Sequence, residues 1–180
     1  MIPLFALLLA PADDVATALE RVARVATAMI DGDVCKRIET TRSRSFALKK
    51  DPRDPWAASD NYDVNDAAFT AVKKTTMRIA TLCDVQCDVN VWMPLASDPS
   101  RIQVVVRNVH EISLFWPWGA LNQEMPAEMK AVLGTQRPVS VLKKGGYRAV
   151  LTPIFDSLGD VVGVAEVAAR TPPDPRENVK

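Results

Sequence analysis

Apolar residues follow two different periods along this chain, and the change of period divides it. Val15, Leu19, Val22, Ala26 and Ile30 recur at spacings of four, three, four and four. That is one stripe of an α-helix, with Glu20, Arg21 and Arg24 left to solvent. Asp13 and Asp14 are N-cap candidates ahead of it, and Asp31-Gly32-Asp33 is expected to end it. A second helix is predicted from Asn65-Asp66 onward, with Phe69, Val72, Ile79 and Leu82 at helical spacing. After Cys83 the period shortens to two: Cys87, Val89, Val91 and Met93 make one face of a strand, and Asn90 and Trp92 the other. Ile102 to Arg107 reads as its hairpin partner across the loop Pro94 to Ser100. Pro126 to Leu133 reads as a short helix, with Pro at its start and Gly134 just past its end. Three further strands, Arg137 to Leu142, Tyr147 to Phe155 and Val161 to Ala168, are separated by Lys144-Gly145-Gly146 and by Asp156-Ser157-Leu158-Gly159-Asp160.

These elements predict an α+β domain, its N-terminal helices packed on a five-stranded antiparallel sheet. The run Val161 to Ala168 is nearly continuously apolar, which places it centrally, with the first strand beside the last. Helices on one face would leave the other free to hold a ligand.

The ends and the polar middle modify this picture. Residues 1–10 are almost wholly apolar and too short to span a bilayer, and Ala10-Pro11-Ala12 has the A-x-A form of a cleavage site. The expectation is a signal segment over 1–12, one domain over 13–169, a disordered tail over 170–180, and a periplasmic or secreted protein. No basic residue precedes Asp13, which favours the alternative of an uncleaved N-terminal segment packed on the body. Between Cys35 and Asn61, basic residues are interleaved with acidic ones, the pattern of a solvated helix end and loop.

Charge and composition exclude more than they select. Of 180 residues, 48% are hydrophobic and 24% charged, and 22 basic residues balance 22 acidic ones. A general nucleic-acid binder needs a basic excess, which this chain lacks. No stretch reaches the 18 apolar residues of a membrane span. A single His and three Cys are poor material for a metal centre, and no phosphate-cradling glycine motif occurs. The expectation is a binding module without a cofactor, not an enzyme.

Candidate binding residues are aromatic and basic. Trp116 and Trp118 lie in the long loop Val109 to Gln123, Trp92 lies on the strand face opposite Val89, and Arg107 and Tyr147 bound that face. Together they would line a pocket for a small organic anion, a carboxylate or an amino acid, with Arg107 meeting the charge. Each also has a structural reading, as core cap, strand-end cation or cross-strand partner. Cys83 and Cys87 are four apart. They make no CxxC motif, and pairing depends on their Cα atoms coming within about 7 Å. Cys35 is expected to be a buried free thiol, and His110 beside Glu111 a loop residue.

The line from Tyr147 to Val167, with Pro153-Ile154, Asp156-Ser157-Leu158-Gly159 and Val161-Val162-Gly163-Val164, resembles the closing hairpin of extracellular Cache (PDC-type) sensor domains. The resemblance implies a PAS-like sheet, a small molecule captured between sheet and loop, and a role in signal transduction. It also implies a homodimer contact through the Val15–Ile30 helix. With Lys180 as the last residue, output is expected to run through a partner. The same hairpin pattern closes cytoplasmic GAF domains, which keeps a GAF-like binding domain as the alternative. A thiol-redox enzyme is the third reading, and requires Cys83 or Cys87 to be exposed and acidic.

Overall fold

A computed structural model describes residues 12–38, 67–116, 122–143 and 146–170. Three helices come first: α1 (Ala12–Met29), α2 (Gly32–Cys35) and α3 (Ala67–Ala80). The strands β1 (Cys87–Leu95), β2 (Asp98–Val106) and β3 (Gln123–Glu124) follow, then α4 (Ala127–Thr135) and the strands β4 (Val139–Lys143), β5 (Tyr147–Phe155) and β6 (Val161–Arg170). All six strands join one sheet in the order β3-β2-β1-β6-β5-β4, with every pairing antiparallel. The first strand does lie beside the last, and β6 is central. Five strands fall where the periodicity put them. The sixth, β3, is a two-residue pairing of Gln123 and Glu124 with Ile102 and Arg101, inside what reads as loop in the sequence.

The period-two pattern of β1 becomes two buried faces. Val89, Val91 and Met93 face a core built with Val15, Leu19, Val22, Ala26 and Ile30 of α1 and Phe69, Val72 and Ile79 of α3. The apolar stripe of α1 is thus consumed within the chain, and Glu20, Arg21 and Arg24 remain outward. Trp92 on the opposite face joins a second core with Ile102, Val104, Leu151 and Val164. Phe115, Met125, and Met129 and Val132 of α4 cover it. The expected free sheet face is therefore corrected. Its apolar side chains require cover, and α4 and the segment after β2 supply it.

Boundaries shift where end signals compete. Asp13 and Asp14 fall inside the first turn of α1, while Asp31 caps α2 by accepting from the Asp33 and Val34 N–H groups. Leu82 lies past the end of α3 and is exposed. Gly134 is helical, and the left-handed residue that closes α4 is Gln136 (φ 58°). The β1–β2 loop shrinks to a tight hairpin in which Leu95 already pairs with Asp98. The expected signal segment 1–12 (all but Ala12), residues 39–61 of the polar stretch, Trp118 and residues 171–180 of the expected tail lie outside the described residues, while Arg170, expected to begin that tail, is instead the last residue of β6 and pairs with Tyr147.

Candidate functional site

The segment 107–116 crosses the sheet, and side chains of β1 and β6 fix its course. Alternation places Asp88, Asn90 and Trp92 of β1 on one face, with Glu166 of β6 paired directly opposite Asn90. The Asp88 carboxylate accepts the Ile112 N–H at 2.6 Å and lies 3.0 Å from His110 Nδ1. Asn90 donates to the Ile112 carbonyl (2.9 Å) and accepts the Asn108 N–H (3.1 Å). Glu166, with no exposed surface, accepts from Trp92 Nε1 (2.9 Å), Asn90 Nδ2 (3.3 Å), Ser113 Oγ (2.7 Å) and the Leu114 N–H (2.6 Å). Burial pushes its carboxyl above the ordinary carboxylate range, against the pull of those donors. Ser113 Oγ in turn accepts the Phe115 and Trp116 N–H groups. From the far side, Lys143 donates to the Leu114 carbonyl and lies over the Phe115 ring. The segment is held by satisfied buried polar groups, not by apolar contact alone.

Its outer edge forms one wall of a cleft of about 390 Å³ at the end of the sheet where β1 and β5 begin and β6 ends. Gln86, His110, Glu111, Ile112, Ser113, Tyr147 and Arg170 line it. Tyr147 and Arg170 pair across β5 and β6, and the guanidinium lies 4.9 Å from the tyrosine ring centroid. Glu111 is a non-glycine residue in the left-handed region (φ 55°), a conformation that costs energy and recurs at ligand sites. A second cavity, of about 50 Å³ between α1, α2 and α3, is lined mainly by Ile30, Val34, Ala71 and Val72 and is too small for an organic ligand.

The five residues singled out from sequence separate. Trp92 is a core residue, 1% exposed. Arg107 is 4% exposed, stacks on the Trp116 ring at 3.9 Å from its centroid, and has Glu111 at 3.6 Å. Trp116 packs on the same core as Trp92. Tyr147 alone lines the cleft, and Trp118 is outside the described residues. Glu166, Asp88, Ser113 and Arg170 were missed. The signal for Glu166 was present: a charge inside the otherwise apolar run of a central strand must be matched by donors.

Asp88 fixes the His110 ring through Nδ1, as in a carboxylate–histidine dyad, but the Ser113 hydroxyl donates to Glu166 and not to His110. No activated nucleophile results from this arrangement. Among the described residues no three His, Cys, Asp or Glu side chains gather as a metal set, and no helix is long and apolar enough to cross a membrane.

Searched against protein-family models the chain matches none, and a search of curated proteins gives no match either.

Proposed function

We propose that this chain is an extracytoplasmic small-molecule-binding sensor domain that holds an amino acid or a related small carboxylate in the cleft between residues 110–113 and the ends of β5 and β6. The observation that carries the proposal is the cleft itself. Its volume of about 390 Å³ suits a small organic molecule, and its wall offers a cation at Arg170, a carboxylate at Glu111 and hydrogen-bonding groups at Gln86, Ser113 and Tyr147. Opposite charges on one wall suit a zwitterion: Arg170 meets the carboxylate, Glu111 the ammonium, and the Tyr147 ring the carbon skeleton. The buried acceptors Asp88 and Glu166 hold that wall in place before any ligand arrives, which lowers the cost of binding. Arg107 is not assigned the anion, because it is 4% exposed beneath the Trp116 ring and does not line the cleft.

The sensor part of the reading draws on the Cache-like hairpin and on the adjacency of first and last strands, with output through a partner protein. A homodimer contact at α1 would use the polar face of that helix. The GAF-like alternative shares hairpin and sheet and differs in compartment. Protein recovered from a secretion-competent bacterium is expected to begin at Asp13, and an intact Met1 or Ile2 would favour the alternative.

A thermal-shift screen of amino acids and organic acids tests the site. A ligand at about a hundred times its dissociation constant stabilises the fold by about 2.7 kcal/mol. Arg170→Ala is expected to abolish the shift of the best ligand, while Arg24→Ala, on the outward face of α1, leaves it unchanged. A shift that survives Arg170→Ala would place the ligand elsewhere.

A further inference from the structure

His110 is the only histidine in the chain, and it stands half-exposed in the wall of the cleft. Behind it lies the Asp88 carboxylate of β1, which has no exposed surface. One Asp88 oxygen is 3.0 Å from His110 Nδ1, and the other accepts the Ile112 N–H at 2.6 Å. A carboxylate only accepts, so this contact fixes the tautomer: Nδ1 carries its proton in both charge states of the ring. The proton that comes and goes is therefore the one on Nε2, the ring nitrogen left for the cleft.

The other charges around the ring are fixed by the elements that meet there. Glu111 is its neighbour in the chain and has Arg107 at 3.6 Å. Arg170 of β6 shares the cleft wall, its guanidinium over the Tyr147 ring of β5. Glu166 of β6 is fully buried and already matched by its four donors.

We propose that the cleft takes up its ligand together with a proton, bound at His110 Nε2, and that the ligand carries a second carboxylate which this nitrogen meets. This rests on the reading of the cleft as an amino-acid site: with Arg170 on the α-carboxylate and Glu111 on the ammonium, His110 is the other lining side chain able to become a cation. The imidazolium then stands between two carboxylates, Asp88 behind and the ligand's in front, and donates to both. The matching class is an acidic amino acid. Linkage makes the effect reciprocal: the affinity that the protonated ring adds for the ligand, the bound ligand adds for the proton. A charge-assisted hydrogen bond of this kind is worth about tenfold in affinity.

Calorimetric titration of the untagged full-length protein with L-glutamate, L-aspartate and L-glutamine, in two buffers of different ionisation enthalpy, reads affinity and proton uptake together. The tighter acidic ligand is expected to bind with net proton uptake and to weaken by about tenfold from pH 6 to pH 8, the range in which histidine changes charge. Glutamine should bind without uptake and with no dependence on pH across that range. A lone histidine gives one imidazole Cε1–H signal in proton NMR, so its titration needs no assignment. Saturation with the acidic ligand should move that midpoint upward by about one pH unit, the counterpart of a tenfold effect. His110→Gln should bind the acidic ligand at its pH 8 strength throughout, and Arg170→Ala should abolish binding. Proton release on binding, an unmoved midpoint at saturation, or Arg170-dependent binding of glutamine alone would overturn the proposal and leave the cleft reading standing. Binding that survives Arg170→Ala would remove both, and no binding by any of the three ligands would overturn the proposal.

Discussion

Glu166 shows what a single residue does here. Its carboxylate is the common acceptor for two side chains of β1 and for the Ser113–Leu114 turn. Replacing it by Gln keeps the shape but turns one oxygen into a donor facing N–H or O–H groups. We expect Glu166→Gln to lower unfolding stability by about 1–3 kcal/mol, the cost of leaving one buried donor unmatched. Glu166→Ala strips all four donors and opens a cavity, so it should cost more, about 3–5 kcal/mol. Urea denaturation measures both, and a neutral Glu166→Ala would show that segment 107–116 is held by apolar contacts alone. The residue was legible as an anomaly, a charge in the most apolar strand. Its partners were not, because Ser113 and Leu114 are 53 and 52 positions away and only the fold brings them there.

Among the elements, α2 and the β5–β6 turn are clamped together. Lys36 bridges Asp33 at 3.1 Å and Asp156 at 2.9 Å, and the Ser157 N–H donates to Asp33. Asp156 also accepts the Leu158 and Asp160 N–H groups within its own turn, which Gly159 closes at φ 84°. Gly163 is required by packing: a Cβ there would lie 2.7 Å from the Trp92 carbonyl oxygen and Met93 Sδ. Asp156, Ser157, Gly159 and Gly163, four of the residues that make the closing hairpin resemble a sensor family, thus have local structural tasks, and such tasks name no ligand. The Ser157 hydroxyl, Lys36 and the Ser157 N–H hold the Asp33 carboxyl at about 2, below its ordinary 3.8. A carboxyl depressed in the folded state stabilises above its unfolded value, and that stability is lost as pH falls through the folded one. The window is therefore about pH 4 down to about 2. In acid titrations Asp33→Asn should flatten the loss of stability across that window, and an unchanged slope would mean the clamp is electrostatically idle.

At the scale of the whole molecule, the sheet divides two cores, and both of its faces are closed by the chain itself. Periodicity made the α1–α3 side legible, because helical stripes and strand alternation are local patterns. The opposite side was not legible. The cover of segment 107–116 and α4 depends on tertiary hydrogen bonds that leave no period behind. Closing that face moves the expected site from the middle of the sheet to its end, where Tyr147 and Arg170 meet His110 and Glu111. The most direct test is a backbone-amide NMR titration of the full-length protein with the best ligand of the thermal-shift screen. Binding in this cleft predicts saturable shifts at Gln86, at His110 to Ser113, at Tyr147 and at Arg170, with the buried stripe of α1 unmoved. Shifts centred instead on Trp92, Arg107 and Trp116, or on the α1–α3 side of the sheet, would contradict it.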